Sequence, residues 1–196
     1  IGLGIMGVHE FCLINNQSYE PSPKLADWLS IWRDVSDNEA KIYSNTKNDV
    51  YPAGRRAIAP TGTISILAET SSGMEPIFCT SYKRRYLDKD GKWKFMYVID
   101  PTVERLVTKL DINPDDIEDS KTLSLEVEKR IAMQAWIQEY TDMAISSTIN
   151  LNEFGETGNN NAKKFAETLL KYLPRLKGIT VYPENARSGA PLVPIK

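Results

Sequence analysis

Histidine is nearly absent: His9 is the only one in 196 residues. With no second histidine or cysteine at ligand spacing, the sequence argues against a zinc centre, and a Ser-His-Asp triad would have to be built on His9 alone. Cysteine is scarce as well. Cys12 and Cys79 stand far apart in apolar contexts, Phe11-Cys12-Leu13 and Phe78-Cys79-Thr80, which suits buried reduced thiols better than a disulfide framework. No charge of one sign dominates, since 24 basic and 26 acidic residues leave a formal net charge of −2. Neither nucleic acid nor an anionic membrane is therefore expected as a partner. No apolar run approaches the roughly 20 residues of a membrane helix, and no basic-then-apolar leader is read, so the expected location is cytoplasmic. The acidic run Asp115-Asp116-Ile117-Glu118-Asp119 lacks the regular spacing and central glycine of a calcium loop. No metal is expected. The chain opens on Ile1 rather than methionine, which suggests a segment of a longer polypeptide or one trimmed upstream.

What is present reads as alternating helices and short strands. Ser22 is a plausible N-cap with Pro23 at the first helical position, and Leu25, Trp28, Leu29, Trp32 and Val35 follow at helical spacing. That predicts a helix from Ser22 to about Ser44. Ala57-Ile58-Ala59, closed by Pro60, suits the end of a buried strand, and Thr61-Gly62-Thr63 then introduces a helix start. Ser71-Ser72-Gly73-Met74-Glu75-Pro76 is a turn-rich loop. Two aromatic-rich runs flank Asp88-Lys89-Asp90-Gly91, a hairpin signal covering 82–99. Further helices are expected over Pro101–Leu110, Leu125–Ile145 and Ala162–Leu173, with a last strand at Ile179–Tyr182. This interleaving points to an α/β fold with parallel strands.

Two stretches compete as a phosphate site. Gly2, Gly4 and Gly7 spell G-x-G-x-x-G, the dinucleotide fingerprint, and these first seven residues resemble the start of β-hydroxyacid dehydrogenases. The motif needs a strand before it and a second strand ending in an acid about 20 residues on. Only Ile1 precedes the glycines here, and Glu20 sits in a stretch without strand character. A nicotinamide-dependent dehydrogenase fragment is therefore the distant alternative, and close packing is the better use for these glycines. The second stretch is Pro60, Thr61, Gly62, Thr63, Ile64 and Ser65. A strand delivers the chain to a proline-bounded turn where a helix begins, so free backbone amides, a glycine and three hydroxyls converge. Ordinary N-capping by Thr61 or Thr63 without any ligand is the competing reading of the same residues.

Arg56-Ala57-Ile58-Ala59-Pro60-Thr61-Gly62-Thr63-Ile64-Ser65 followed by Ser71-Ser72-Gly73-Met74-Glu75-Pro76-Ile77-Phe78 resembles adenosylcobalamin-dependent (class II) ribonucleotide reductase. The likeness continues in order through Tyr82-Lys83-Arg84-Arg85-Tyr86, Tyr97 to Thr102, Ile145 to Leu151 and Lys177 to Pro183, and it takes in the opening Gly2 to Glu10. It implies the C-terminal half of a ten-stranded α/β barrel, one incomplete domain over 1–196, with a β-hairpin insertion near 82–99. In that family the turn matching Pro60 to Ser65 holds the substrate's phosphates. The resemblance further implies an enzyme that turns ribonucleotides into deoxyribonucleotides by radical chemistry, with adenosylcobalamin as cofactor. The family's Asn-x-Cys-x-Glu finger loop and its reducing cysteines have no match here. The expectation is accordingly that this segment has no catalytic residue and no activity alone, and that it needs the N-terminal half of the reductase. A non-catalytic or split-enzyme subunit with a partner chain is the alternative. Exposed strand edges would invite self-association into a homo-oligomer.

Overall fold

Strand-forming stretches in this chain are brief, so pairing between distant segments assembles the sheet layer and, at one helix, decides where it stops. The computed structural model describes residues 2–152, 161–183 and 192–195; Ile1, the residue ahead of the opening glycines, lies outside them. In chain order come α1 (Val8–Ile14), α2 (Pro23–Lys47), α3 (Gly62–Leu67), β1 (Ser81–Leu87), β2 (Trp93–Ile99) and α4 (Pro101–Leu110). There follow α5 (Ser120–Leu123), α6 (Val127–Gln138), β3 (Thr148–Leu151), α7 (Ala162–Tyr172), β4 (Thr180–Pro183) and β5 (Leu192–Pro194).

The parallel layer is built from four stretches taken in chain order. Leu3 bridges Arg56 and Ile58 bridges Ile145, both in parallel. β3 then pairs in parallel with β4, from Thr148↔Thr180 to Leu151↔Pro183. Each stretch lies beside the next, with helices in the intervening segments, which is the arrangement of an arc of an α/β barrel. The strand expected at Ala57–Ala59 is present only as these single bridges.

α2 starts as its sequence dictates: the Ser22 hydroxyl accepts from the Leu25 amide at 3.3 Å and Pro23 occupies the first turn. It runs on to Lys47, where Asn48 takes the left-handed conformation at φ 51°. Leu25 and Leu29 are buried, but Trp28 and Val35 remain 43% and 56% exposed. The apolar arc of this helix is thus wider than the core it meets. Trp28 and Val35, with Leu3, Ile31 and Tyr43, line an apolar groove of about 780 Å³.

α6 departs from expectation. A single helix over Leu125–Ile145 is predicted, yet the helix ends at Gln138. There the Gln138 side chain donates to the carbonyls of Thr141 and Met143, both at 2.8 Å. Asp142 accepts from the amides of Arg55 and Arg56 at 2.9 and 3.0 Å and from both guanidinium groups. These bonds turn the chain and bring Ile145 alongside Ile58, so tertiary pairing overrides helix propensity. α6 is enclosed on most sides, and its buried Arg130 and Gln134 donate to the carbonyls of Thr148 and Gly178, each at 2.8 Å. Ile5, Val8, Cys12, Leu25, Leu29, Ile58, Met74, Met133, Ile137 and Ile145 belong to the main core cluster.

The hairpin expected over 82–99 is present as β1 and β2, paired antiparallel from Ser81↔Ile99 to Leu87↔Trp93. Gly91 adopts φ 74°, and Asp88 Oδ1 accepts from the amides of Asp90 and Lys92, closing the turn. β5 joins the other side of β1, with Lys83 opposite Val193. No sequence signal marked β5. Among the described residues no helix is long and apolar enough to cross a membrane.

Candidate functional site

The Pro60 turn emerges at the carboxyl ends of the parallel stretches, the end where open α/β layers place their ligands. Thr61 follows with φ 54°, a left-handed conformation that is unusual for a β-branched residue. It occupies the N-cap of α3, but its side chain makes no capping bond. The Thr61 hydroxyl instead accepts from the Gly73 amide at 2.8 Å, while the Thr61 carbonyl takes the Ser65 amide at 2.9 Å. Side-chain capping by Thr61 is thereby corrected: the hydroxyl is drawn away to the 71–76 loop, and the exposed Thr63 does not cap either. The amides of Gly62, Thr63 and Ile64, at the first turn of α3, lack intrahelical acceptors.

Gly73 completes the lock. Its φ is 45°, and a Cβ there would lie 2.8 Å from the Ala59 carbonyl, so only glycine fits beneath the turn. Ser65 is buried, and its hydroxyl meets that of Ser72 at 2.8 Å. Pro60, Gly62, Thr63 and Ile64 are exposed. At Gly62 a Cβ would meet nothing within 4 Å. Neither the backbone conformation nor a neighbour requires glycine at that position.

Gly62 and Ser65 open onto a hollow of about 380 Å³ shared with Ser72, Glu75, Asn150 and Tyr182. No lysine or arginine is among its lining residues. Two of its three carboxylates have backbone partners: Glu75 Oε1 accepts from the Thr148 amide, and Asp100 Oδ1 accepts from Thr102 and Val103 at 2.9 and 3.3 Å. Burial raises the Asp100 pKa above the usual aspartate value, with those backbone bonds opposing it. Sequence reasoning gave no role to Glu75, Asn150 or Tyr182. The turn-rich composition of Ser71–Pro76 was the only local signal for any of this wall.

The opening glycines serve packing. Gly7 adopts φ 83°, and a Cβ on it would come 2.7 Å from the Thr70 hydroxyl; one on Gly4 would come 2.9 Å from the Ala57 carbonyl. The amide of Gly7 donates to Ser71 O at 2.8 Å, Val8 to Gly73 O at 3.3 Å and Glu10 to Ser71 Oγ at 3.2 Å. The start of α1 is thus filled by the 71–73 loop, which leaves no room for a pyrophosphate.

His9 is buried, and its Nδ1 accepts from the Ile77 amide at 2.9 Å. Burial, with the nearby charges of Arg130 and Lys129, lowers its pKa to about 3, so it is neutral. Cys12 and Cys79 are free and buried. Burial pushes their thiols up to about 11 and about 12, the form of inert structural cysteines. Among the described residues no group of three or more His, Cys, Asp or Glu could hold a metal ion.

Comparison with known proteins agrees with this architecture. The family described as "Ribonucleotide reductase, barrel domain" matches residues 24–182. A protein of Mycobacterium phage D29, carrying the name of an adenosylcobalamin-dependent ribonucleoside-triphosphate reductase, is 25% identical over 97% of this chain and 32% of its own length. A vitamin B12-dependent ribonucleoside-diphosphate reductase of Thermoplasma acidophilum is 26% identical over 96% of this chain and 28% of its own. The crystal structure of a B12-dependent (class II) ribonucleotide reductase superposes on the whole chain with a TM-score of 0.75 at 15% identity, using 31% of that protein. The chain therefore spans about a third of the length of these relatives. It belongs to the ribonucleotide reductase barrel-domain family, of which it forms part of the barrel.

Proposed function

We infer that this chain supplies barrel wall and the substrate-phosphate clamp of a ribonucleotide reductase, an oxidoreductase that converts ribonucleotides to deoxyribonucleotides by radical chemistry. The observation that carries the reading is the Pro60–Ser65 turn, where the first amides of α3 border a hollow at the strand ends. Those amides, with the Thr63 hydroxyl beside them, would donate to phosphate oxygens, while Thr61 and Ser65 hold the turn through Gly73 and Ser72. Ser72, Asn150 and Tyr182 would border the rest of the nucleotide. The β1–β2 hairpin is then an insertion in the barrel.

The relatives' names point to cobalamin, and the described residues around the hollow do not form a site for it. The 380 Å³ hollow is far smaller than a corrinoid. The single histidine, a natural cobalt ligand, is buried with Nδ1 engaged by Ile77. The cofactor, the radical-bearing cysteine and its reductants would be contributed by the remainder of the reductase.

Isothermal titration of the chain with pyrophosphate, then with a ribonucleoside diphosphate and triphosphate, tests the clamp. Nucleotide binding displaced by pyrophosphate is expected, with no deoxynucleotide formed when adenosylcobalamin and a dithiol are added. Absence of any binding would remove the clamp. Turnover by the chain alone would overturn the division of labour.

A further inference from the structure

β2 is the outer strand of the β2–β1–β5 sheet among the described residues, and the hairpin ladder shows which of its backbone groups face outward. Asp88 donates to Lys92 O at 2.9 Å and Asp100 to Thr80 O at 3.1 Å, so both ends of the hairpin are hydrogen-bonded pairs. With the unbroken register between them, the even-numbered residues of β2 bond inward to β1. Trp93, Phe95, Tyr97 and Ile99 turn their N–H and C=O groups outward. The usual guards of such an edge are missing, since β2 has neither proline nor bulge. Lys94, the charge that would protect its centre, is tied back to Asp88 at 2.7 Å.

Apart from Lys94 and the half-buried Val98, the side chains along this edge are apolar or aromatic and exposed, with Tyr97 at 75%, Trp93 at 59% and Met96 at 48%. Lys83 and Arg85 of β1 lie over the rings of Phe95 and Trp93 at 4.4 and 4.3 Å, which orders those rings for contact.

We propose that two copies of this chain pair through β2, antiparallel about a two-fold axis at Met96, into one six-stranded sheet. Outward-facing residues must meet outward-facing residues, which sets Trp93 opposite Ile99 of the second copy, Phe95 opposite Tyr97, and Met96 opposite itself. Lys92 then faces Asp100, and no like charges meet. Recentring on Lys94 would oppose two ammonium groups and leave Ile99 beyond the strand. Recentring on Tyr97 would set Trp93 against Pro101, which has no N–H to give. Only the Met96 centre pairs all seven residues of β2, and it makes an uninterrupted aromatic stripe across the junction. The inference does not depend on the phosphate clamp.

Light scattering on the eluting 196-residue chain is expected to give twice the 22.1 kDa of one copy at high concentration. Tyr97→Pro, which removes an outward N–H that β1 does not use, should return it to one copy. Met96→Cys adds an independent measurement. Facing residues of a non-hydrogen-bonded pair have Cα atoms about 4.5 Å apart, within disulfide reach, so mild oxidation should link two chains. Tyr97→Cys should not link, because Tyr97 faces Phe95. The native cysteines are buried and do not compete. A single-copy mass up to the solubility limit, or oxidation that fails to link Met96→Cys, would overturn the proposal. Should Tyr97→Pro unfold the hairpin, the contrast between the two cysteine variants still decides.

Discussion

Replacing Gly62 by valine separates the phosphate clamp from the fold that carries it. A Cβ at Gly62 meets nothing within 4 Å, and the residue has no left-handed φ that a side chain would strain. Gly62 is also the first residue of α3, where valine exceeds glycine in helix propensity by no more than about 0.5 kcal/mol. For a chain of this size that is a change in Tm of about 2 °C or less, upward if at all. The consequence for a ligand is of another order. The new isopropyl group would stand over the amides of Gly62 and Thr63, and one amide–phosphate bond is worth about 1.5–3 kcal/mol. Pyrophosphate affinity should therefore fall about 10- to 100-fold by titration calorimetry while the melting curve stays in place. Gly62→Ala should give an intermediate loss. Equal affinities for wild type and Gly62→Val, with both folded, would refute the reasoning.

Three further outcomes follow from the same geometry. Since His9 is neutral in the fold with a pKa of about 3, against an ordinary 6.5, the unfolded chain binds the extra proton. Stability should then be full above pH 6.5 and fall by up to about 1.4 kcal/mol per pH unit below it; urea unfolding at two pH values would show the slope, and His9→Asn, which can still accept from Ile77, should flatten it. Asp142 joins the turn after α6 to Arg55 and Arg56, with Arg56 only 2% exposed; since Asp37 still pairs with both guanidinium groups, Asp142→Ala should cost about 1–3 kcal/mol and lower Tm by roughly 2–12 °C, read by thermal melting. Because no basic side chain lines the 380 Å³ hollow, pyrophosphate affinity should change less than about threefold between ~0.05 and ~0.2 M salt; a steep salt dependence would place the anion elsewhere.

The parts of the fold legible in the sequence are those specified by local chemistry. Ser22-Pro23 and Asp100-Pro101 each carry a side-chain cap and a proline in the first turn, and the helices begin where these residues place them. The turn over Asp88–Gly91 needed one carboxylate and one glycine at positive φ, both visible as letters. What the letters hid depends on partners far along the chain. Nothing local says that α6 stops at Gln138, because the stop is enforced by Arg55 and Arg56 more than 80 residues earlier. The exposed side of α2 is hidden for the same reason: an apolar arc does not state how much of itself will be covered. At the site, the sequence marked the Pro60 turn but left its hydroxyls open between capping and ligand donation, because a capping threonine and a threonine bonded to a remote glycine are the same letter.

Both glycine-bearing helix starts are governed by the short loop at Ser71–Gly73. Its carbonyls and the Ser71 hydroxyl accept the first amides of α1. Its Gly73 amide is given to Thr61, and Ser72 takes the hydroxyl of Ser65. The loop therefore takes the amides of Gly7, Val8 and Glu10 at one helix terminus and holds the other in place with side chains that leave its amides uncapped. An anion needs donors that the protein has not already satisfied, and α3 offers more of them than α1. The strain of a left-handed Thr61 belongs to the same device, since a threonine in an ordinary capping conformation would consume the amides that the turn otherwise presents. Three glycines at the spacing of a cofactor loop count for less here than one glycine whose neighbours hold their hydroxyls away from it.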